Sequence, residues 1–383
     1  MVITLSDGTV IAAPVPLTFD FDASVTARMT WEPISALLHL ETTSGDQITG
    51  ELPHPGRSGV SDARPIVYLD QNHWSTLAKV ARGSRPVPTA QADAARVIID
   101  MAREQQIRLP VSAGHISETG QWSDRELRYQ LALTMLELSR GWQMRDPLDI
   151  RHLEIRRALA IRINRMDLIV DRETFTLEPA TVFGSSRSDR SPSLIATGTD
   201  SLDYAVHALA SLSALFDTLL HPEAVLQGDV TGWVDKAQRL TNQLASEPHS
   251  EQARREMTNR FFLDDLRPEF LHQARESAVT PSQWVTWLNE QSDDDISQMP
   301  SLGLYREVLR EKVLNPGTTW ESNDLTDLVY LTCAAGYADH TVGERSLTSA
   351  IENGLRRLGR TTSVHRSLRS LVDALDVAGV TRS

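Results

Sequence analysis

The stretch that decides the fold is Ile66-Val67-Tyr68-Leu69-Asp70-Gln71-Asn72-His73-Trp74. Four apolar residues lead directly into a carboxylate, an amide and an imidazole, and residues 75–80 continue with helical spacing. This pattern predicts a short strand, buried on both faces, that ends at Asp70 and passes into a helix. A carboxylate at the C-terminal end of such a strand lies where α/β sheets bind their ligands. The competing interpretation is that Asp70 caps the helix through its side-chain oxygen.

Composition restricts the class of protein. The chain has 383 residues, of which 40% are hydrophobic and 23% charged, as is ordinary for a globular protein with two or three domains. No apolar run approaches the roughly 20 residues of a membrane span, and residues 1–7 lack the basic start of a signal peptide. The one cysteine, Cys333, excludes an internal disulfide and fits a reducing compartment. We therefore expect a cytoplasmic protein with no membrane partner.

The net charge of −13 argues against a protein that coats nucleic acid through bulk electrostatics. It does not exclude nucleic acid as a substrate, because divalent cations held by carboxylates dominate the local field. One locally basic segment, residues 151–165, contains Arg156, Arg157 and Arg162. A solvated helix face is the simpler interpretation of this segment, and contact with phosphate groups is the alternative.

Four segments of different character follow one another along the chain. They are a small β domain at 1–60, a first α/β segment at 64–125, an all-helical insertion at 126–300 and a second α/β segment at 301–383. Residues 53–65 are rich in Pro, Gly and Ser and are predicted to form a linker. Within the insertion, residues 184–201 predict a loop, and residues 202–220, apolar around much of the helical surface, predict a buried helix.

In both α/β segments, acidic residues accompany the predicted strands. Residues 108–112 predict a second short strand, and the helix that follows it carries Glu118. Residues 338–345 predict a third strand with an acid at each end, Asp339 and Glu344. Neither Glu118 nor Asp339 has an evident capping role, which favours a functional interpretation of these acids.

The stretch from Glu321 to Leu331 predicts the opening of a helix that runs to about Tyr337, and its first turn is unusually acidic. Asp324 and Asp327 are three residues apart, so both carboxylates project from neighbouring positions, where the helix dipole favours negative charge. Capping explains one of these acids, but it does not require two together with Asn323. The start of this helix is therefore a second candidate site.

Taken in order, these acids resemble those of the PIN-like nuclease domain. That family opens with an apolar strand that ends in Asp, here Asp70, often followed one residue later by Asn, here Asn72. Its second acid is a Glu in a helix, which Glu118 matches. Its third is an Asp that opens an alanine-containing helix, as Asp327 does, and its fourth is an Asp shortly before a short strand, as Asp339 is.

The resemblance covers about residues 64–125 and 315–383, and it implies both a fold and an activity. The fold is an α/β, three-layer PIN-like domain with a central, mostly parallel sheet, here with a large helical insertion and a small β N-terminal domain. The activity is that of a bacterial metal-dependent endonuclease, a hydrolase that cleaves RNA more readily than DNA. A homodimer, or an antitoxin or defence partner, is compatible with the resemblance. The chain departs from the family at 343–345, where Gly-Glu-Arg replaces Thr followed by Asp or Asn.

The same acids predict the cofactor. Carboxylates that are brought together repel one another unless cations enter, and Mg²⁺ or Mn²⁺ suits a set of oxygen ligands. The expected metal ligands are Asp70, Glu118, Asp324, Asp327 and Asp339, and all of these except Asp324 form the expected catalytic set. We expect hydrogen-bonding support from Asn72, which would orient Asp70, and from Asn323 and Glu344. Arg345 joins Arg156, Arg157 and Arg162 as candidate contacts to nucleic acid.

Three alternatives stay open from the sequence. The domain could be an inactive PIN-like interaction module in a toxin or defence assembly, although all four acids are present. It could be a phosphatase with an aspartyl nucleophile, but that class has a second Asp two residues on, where Asn72 stands. Zinc could bind near His73 and His115, yet their spacing matches no zinc pattern and no second cysteine is present.

Overall fold

The computed structural model describes residues 2–4, 10–12, 26–32, 35, 37–51, 63–177 and 230–380. Within these ranges the chain is mixed α/β and mostly helical, and none of its helices combines the length and apolar character needed to cross a bilayer. The loop predicted at 184–201, the helix predicted at 202–220 and most of the linker predicted at 53–65 lie outside the described residues.

Ten strands are numbered in chain order within the described ranges. They are β1 (Val2–Thr4), β2 (Val10–Ala12), β3 (Thr26–Glu32), β4 (Leu37–Thr42), β5 (Gln47–Glu51), β6 (Val67–Leu69), β7 (Gln143–Met144), β8 (Phe175–Thr176), β9 (His340–Val342) and β10 (Ser363–His365). At the N-terminus, β1 pairs with β2, and β4 pairs with both β3 and β5, all antiparallel. The small β region predicted there is confirmed.

The α-helices are numbered in the same way. They are α1 (Gln71–Arg82), α2 (Thr89–Arg103), α3 (Ala113–Gly120), α4 (Arg125–Ser139), α5 (Pro147–Arg162), α6 (Thr231–Ser246), α7 (Glu251–Asp265), α8 (Arg267–Glu276), α9 (Pro281–Thr286), α10 (Ser292–Gln298), α11 (Pro300–Leu314), α12 (Asp324–Tyr337), α13 (Arg345–Arg357) and α14 (Leu368–Val377). The predicted passage from β6 directly into a helix is confirmed.

A small parallel sheet organises the two α/β segments, with strand order β10-β9-β6. All residues of β6 are buried, and they alternate between two hydrophobic cores because successive side chains of a strand point to opposite faces. Val67 and Leu69 pack into one core with helices α1, α2 and α14, whereas Tyr68 packs into the other with α11, α12 and α13. Helices therefore cover both faces of the sheet.

The strand predicted at 108–112 forms only single bridges. Arg108 pairs with Ile66 and Val111 with Gln143, both parallel. The backbone N–H of Val67 donates to the carbonyl of Arg108 at 2.9 Å, so this segment extends the sheet edge beyond β6. Pro110 lacks a backbone N–H, which limits a continuous ladder at this point.

The insertion at 126–300 is not all-helical, which corrects the expectation. The short strands β7 and β8 pair antiparallel within it, with Gln143 opposite Thr176 and Met144 opposite Phe175. Its helices share a core with the second α/β segment through α11, which contacts α5, α6, α7, α10, α12 and α13. Sequence reasoning did not single out α11, because Arg306 and Glu307 are buried among its apolar residues and the helix has little amphipathic period.

Candidate functional site

Two acids stand side by side at the C-terminal edge of the parallel sheet. Asp70 follows β6 and Glu344 follows β9, and these strands are in register with Leu69 opposite Val342. The backbone N–H of Asp70 donates to the carbonyl of Val342 at 2.9 Å. Each acid occupies the position before a helix with an extended backbone, yet neither side chain makes a capping hydrogen bond. Asp70 thus occupies the N-cap position without a capping hydrogen bond from its side chain, although the first N–H groups of α1 face its carboxylate.

Two further acids approach this edge from helices. Glu118 lies on α3, and Asp327 lies in the first turn of α12. The two helices pack closely, because a Cβ atom added to Gly114 would lie 3.2 Å from the ring of Tyr330. Gly114 is one turn before Glu118, and Tyr330 is one turn after Asp327. The missing side chain at Gly114 thus allows α3 to bring Glu118 toward α12.

The four acids form one electrostatic cluster. Burial raises the pKa of Asp70 to about 6, that of Asp327 to about 7 and that of Glu118 to about 8. After burial, the largest upward effect on each pKa comes from another member: Glu344 acts on Asp70, Asp70 on Asp327, and Asp327 on Glu118. Because each ionised carboxylate raises the pKa of its neighbours, these side chains face a common region. We call Asp70, Glu118, Asp327 and Glu344 the acidic cluster.

Asn72 supports the acidic cluster, but through a different partner from the one predicted. Its amide Nδ2 donates to Oε1 of Glu344 at 2.5 Å, so it orients Glu344 rather than Asp70. Backbone N–H groups do face Asp70, and those of Gln71 and Asn72 lower its pKa against the effect of burial. The pair Asn72–Glu344 links the ends of β6 and β9 across the cluster.

Asp324 lies beside the acidic cluster and already has partners. Its carboxylate forms an ion pair with Lys312 of α11 and accepts a hydrogen bond from the backbone N–H of Glu321 at 2.8 Å. Asp324 still raises the pKa of Asp327, while Lys312 lowers it. The carboxylate of Asp324 is therefore paired with the charge of Lys312. Lys312 lies next to the acidic cluster, and sequence reasoning missed it. Asn323 is exposed, and its side chain makes no capping hydrogen bond.

Asp339 does not join the other acids, so the expectation that it completes the site is wrong. It precedes β9, and its Oδ2 accepts a hydrogen bond from the backbone N–H of Ile66 at 2.7 Å. Since β9 runs parallel to β6, Asp339 is level with Ile66 and lies at the opposite end of the sheet from Asp70, about 13 Å away along the strand direction. Glu344, which was expected only to support the metal ligands by hydrogen bonding, lies with Asp70, Glu118 and Asp327 in place of Asp339.

The acidic cluster suits a divalent cation by its chemistry. Carboxylate oxygens are the preferred ligands of Mg²⁺ and Mn²⁺, and a cation bound among them would offset the burial and mutual repulsion that raise the pKa values of Glu118 and Asp327. Among the described residues, no three His, Cys, Asp or Glu side chains already stand at the mutual spacing of a metal site. The cluster therefore matches a metal centre in donor type and charge, with its carboxylates held further apart than ligands of one ion.

An open cavity of about 710 Å³ borders the cluster. Glu344 and Asn72 line it on one side, and Arg345, Ser349 and Arg366 bring basic and hydroxyl groups to its wall. Guanidinium and hydroxyl groups are suited to phosphate oxygens. Arg345, predicted from the sequence to contact nucleic acid, lines this cavity, and the contact itself stays a prediction.

The three arginines predicted on α5 have intramolecular partners. Arg156 donates to Gln273 at 3.1 Å, Arg157 to Asp171 at 3.0 Å and Arg162 to Asp295 at 2.7 Å. These contacts explain the local basic character of the segment without a bound phosphate. Contact of these three residues with nucleic acid remains a prediction that no feature of their surroundings favours.

His115 is a positioning residue rather than a metal ligand. Its Nε2 donates to the carbonyl of Leu69 at 2.8 Å, and its Nδ1 accepts from the backbone N–H of Ser112 at 3.1 Å. The ring stacks on Tyr68 with centroids 5.1 Å apart, and burial lowers its pKa to about 4. Both ring nitrogens are engaged in hydrogen bonds and neither is free to bind a metal. His115 therefore holds α3 against the end of β6, next to Asp70.

We expect His115→Ala to destabilise the protein by about 3 kcal/mol, because it opens a cavity and leaves a buried carbonyl and amide without partners. Chemical denaturation at pH 7.5 measures the change in the free energy of unfolding. The exposed His272 provides the matched control, and His272→Ala should stay within about 0.5 kcal/mol of wild type. A loss below about 1 kcal/mol in His115→Ala would show that this ring does not position the strand end.

The similarity of the acids to the PIN-like pattern rests on the residues themselves. Comparisons of the chain with protein-family models, with curated proteins and with solved structures found no match.

Proposed function

We propose that the protein is a divalent-metal-dependent endonuclease that hydrolyses phosphodiester bonds at the acidic cluster. The observation that carries the proposal is the placement of three partly buried carboxyl groups at the C-terminal edge of a parallel sheet, where burial and one another's charge raise their pKa values. Such an edge is where α/β proteins bind ligands, and strongly shifted groups concentrate at functional sites. The resemblance to PIN-like nucleases agrees with this chemistry and supplies the preference for RNA.

Asp70, Glu118, Asp327 and Glu344 would hold the metal through their carboxylate oxygens, directly or through water, because they stand further apart than the ligands of one ion. When bound, Mg²⁺ or Mn²⁺ polarises the phosphate and lowers the pKa of a coordinated water. The chain itself positions these ligands: Asn72 orients Glu344 through its hydrogen bond, and the peptide of Asp70 is fixed to Val342. Positioning of this kind commonly affects metal affinity by 10- to 100-fold.

The chain also provides a place for the substrate. Arg345 and Arg366 line the cavity beside Glu344. A phosphate of the nucleic acid that neighbours the reacting bond can therefore lie against these two guanidinium groups. The remainder of the chain is acidic, with a net charge of −13, which disfavours extended binding of a long duplex. A short single-stranded segment that enters this cavity fits both observations.

End-labelled single-stranded RNA and DNA oligonucleotides of identical sequence test the proposal. Wild-type protein should cut RNA internally with Mg²⁺ or Mn²⁺ and should be inactive in EDTA, with DNA cut more slowly. Cleavage that persists in EDTA would exclude the proposed chemistry. Absence of cleavage with either metal, together with absence of Mn²⁺ binding, would favour the inactive interaction module.

A further inference from the structure

A second cavity, of about 410 Å³, lies between helices α7, α10, α11 and α13. It shares no lining residue with the acidic cluster or with the cavity beside it. Four arginines line it: Arg255 from α7, Arg306 and Arg310 from α11, and Arg357 from α13. We call it the arginine cavity, and its volume falls within the range of small-molecule sites.

One buried carboxylate lies within ion-pair distance of three of these arginines. Glu307, whose side chain is 5% exposed, lies 2.9 Å from Arg310, 2.8 Å from Arg357 and 3.8 Å from Arg306. A single carboxylate has too few lone pairs in suitable directions to satisfy three guanidinium forks at once. Positive charge therefore exceeds what Glu307 can balance at this point.

Other acids form ion pairs with the same arginines. Asp293 accepts from Arg306 at 2.7 Å, and Arg357 also reaches Glu311, which lies outside the cavity. Besides Glu307 and Asp293, the wall contributes one further acid, Glu256. Four guanidinium groups thus face three carboxylates in a chain whose net charge is −13. The lining itself thus carries one more positive than negative group, while Glu251 and Glu311 pair with Arg255 and Arg357 from outside it.

Buried donors in this wall lack partners. Among the described residues, Nε of Arg306 and Nε of Arg310 are buried and have no hydrogen-bond partner. The Arg306 side chain is 5% exposed, so it is held in place by its surroundings. Burial lowers the pKa of Arg310, Glu307 raises it, and the neighbouring Arg306 and Arg255 lower it. The guanidinium groups of Arg306 and Arg255 therefore repel that of Arg310, and a bound anion would reduce this repulsion.

We propose that the arginine cavity binds the phosphate group of a nucleotide-sized small molecule. Guanidinium forks match phosphate oxygens in charge and geometry, and helix-borne arginines hold these forks on rigid elements. The amides of Gln252 and Asn259, which also line the cavity, supply neutral hydrogen-bonding groups for the rest of the ligand. The site is independent of the acidic cluster, and the ligand is a small molecule rather than the polymer proposed there.

Calorimetric titration of the full-length protein in EDTA, with pyrophosphate and with AMP as probes, tests this site. Arg255→Gln is the informative variant, because Arg255 is 59% exposed and only loosely paired with Glu251 at 3.9 Å. Its loss should leave the packing unchanged and weaken binding by about tenfold, as expected for one charge-assisted contact. Arg260→Gln on the same helix is the matched control, since Arg260 is 86% exposed, loosely paired with Asp264 and outside the cavity wall.

Saturable binding of either probe that Arg255→Gln weakens and Arg260→Gln does not would support the site. The proposal is overturned if wild type binds neither probe, or if both variants weaken binding equally, which indicates nonspecific attraction. Asp70→Asn should bind the probes as wild type does. Loss of probe binding in Asp70→Asn would place the phosphate at the acidic cluster and also overturn the proposal, whereas loss of cleavage alone concerns only the nuclease proposal.

Discussion

Asp70→Asn is expected to lower metal-dependent cleavage of single-stranded RNA by on the order of 1,000-fold while the protein stays folded. Asp70 is the acid at the end of β6, and it raises the pKa of both Asp327 and Glu118. The amide keeps the shape of the side chain but removes the charge that a cation requires. Because the carboxylate has a raised pKa, about 6, its replacement relieves repulsion and should not destabilise the metal-free protein.

Initial rates of oligonucleotide cleavage in Mg²⁺ measure this effect, with circular dichroism and thermal melting to check folding. Asp339→Asn is the matched control, because an asparagine oxygen can still accept the hydrogen bond from the backbone of Ile66. It should retain activity within a few-fold of wild type. Activity of Asp70→Asn near the wild-type level would remove Asp70 from the catalytic set and with it the nuclease proposal.

The second large effect concerns pH and stability in the absence of metal. The folded pKa values of Asp327 and Glu118, about 7 and about 8, lie above their ordinary values of 3.8 and 4.5. Between the unfolded and folded values, the folded protein binds more protons than the unfolded chain, so stability falls as the pH rises. In EDTA, the melting temperature should therefore drop between pH 6.5 and 8.5, and Mg²⁺ should restore it.

Between pH 6.5 and 8.5 the carboxylates change the stability of the protein and the buried histidines do not. Burial lowers the pKa of His115 and of His365 to about 4, so their contribution to stability is lost only as the pH falls below about 6.5. Above that value these rings are neutral in the folded protein. Glu118→Gln should flatten the decline in EDTA. A melting temperature that is constant from pH 6.5 to 8.5, or unaffected by Mg²⁺, would contradict the proposed coupling of the acids.

The sequence was sufficient where local pattern decides the structure. Four apolar residues before Asp70 predict a buried strand with a polar end, and β6 and α1 follow that prediction. The helix predicted to open at the stretch from Glu321 begins at Asp324 and ends at Tyr337, as its apolar residues indicate. In both cases the signal lies within one turn or one strand, so no distant contact is needed to determine it.

The choice between Asp339 and Glu344 needed the direction of β9. An acid flanks each end of this three-residue strand, and the alternation of side chains does not tell which end meets Asp70. Parallel pairing with β6 places the C-terminal ends together, so Glu344 faces the cluster and Asp339 does not. The preference of α/β sheets for ligands at the C-terminal edge could have identified Glu344 from the sequence, but the family pattern favoured Asp339.

Contacts between distant segments are the part that the sequence did not supply. Lys312 pairs with Asp324 because the last turn of α11 lies beside the start of α12. The sequence of α11 has little amphipathic period, so this contact was not predicted. The arginine cavity likewise depends on three helices whose arginines are separated by about 100 residues. Charged residues in such positions resemble a solvated surface in the sequence, and only packing shows that Arg306 and Glu307 are buried.

Titration of Mn²⁺ into the metal-free protein by calorimetry tests most directly whether the acidic cluster is a metal centre. Wild type should bind Mn²⁺ with saturable heat at pH 7.5. Glu344→Gln should weaken that binding by at least about tenfold, and Asp339→Asn should leave it unchanged. Equal affinity of wild type and Glu344→Gln, or a loss confined to Asp339→Asn, would contradict the assignment of the site to the C-terminal edge of the sheet.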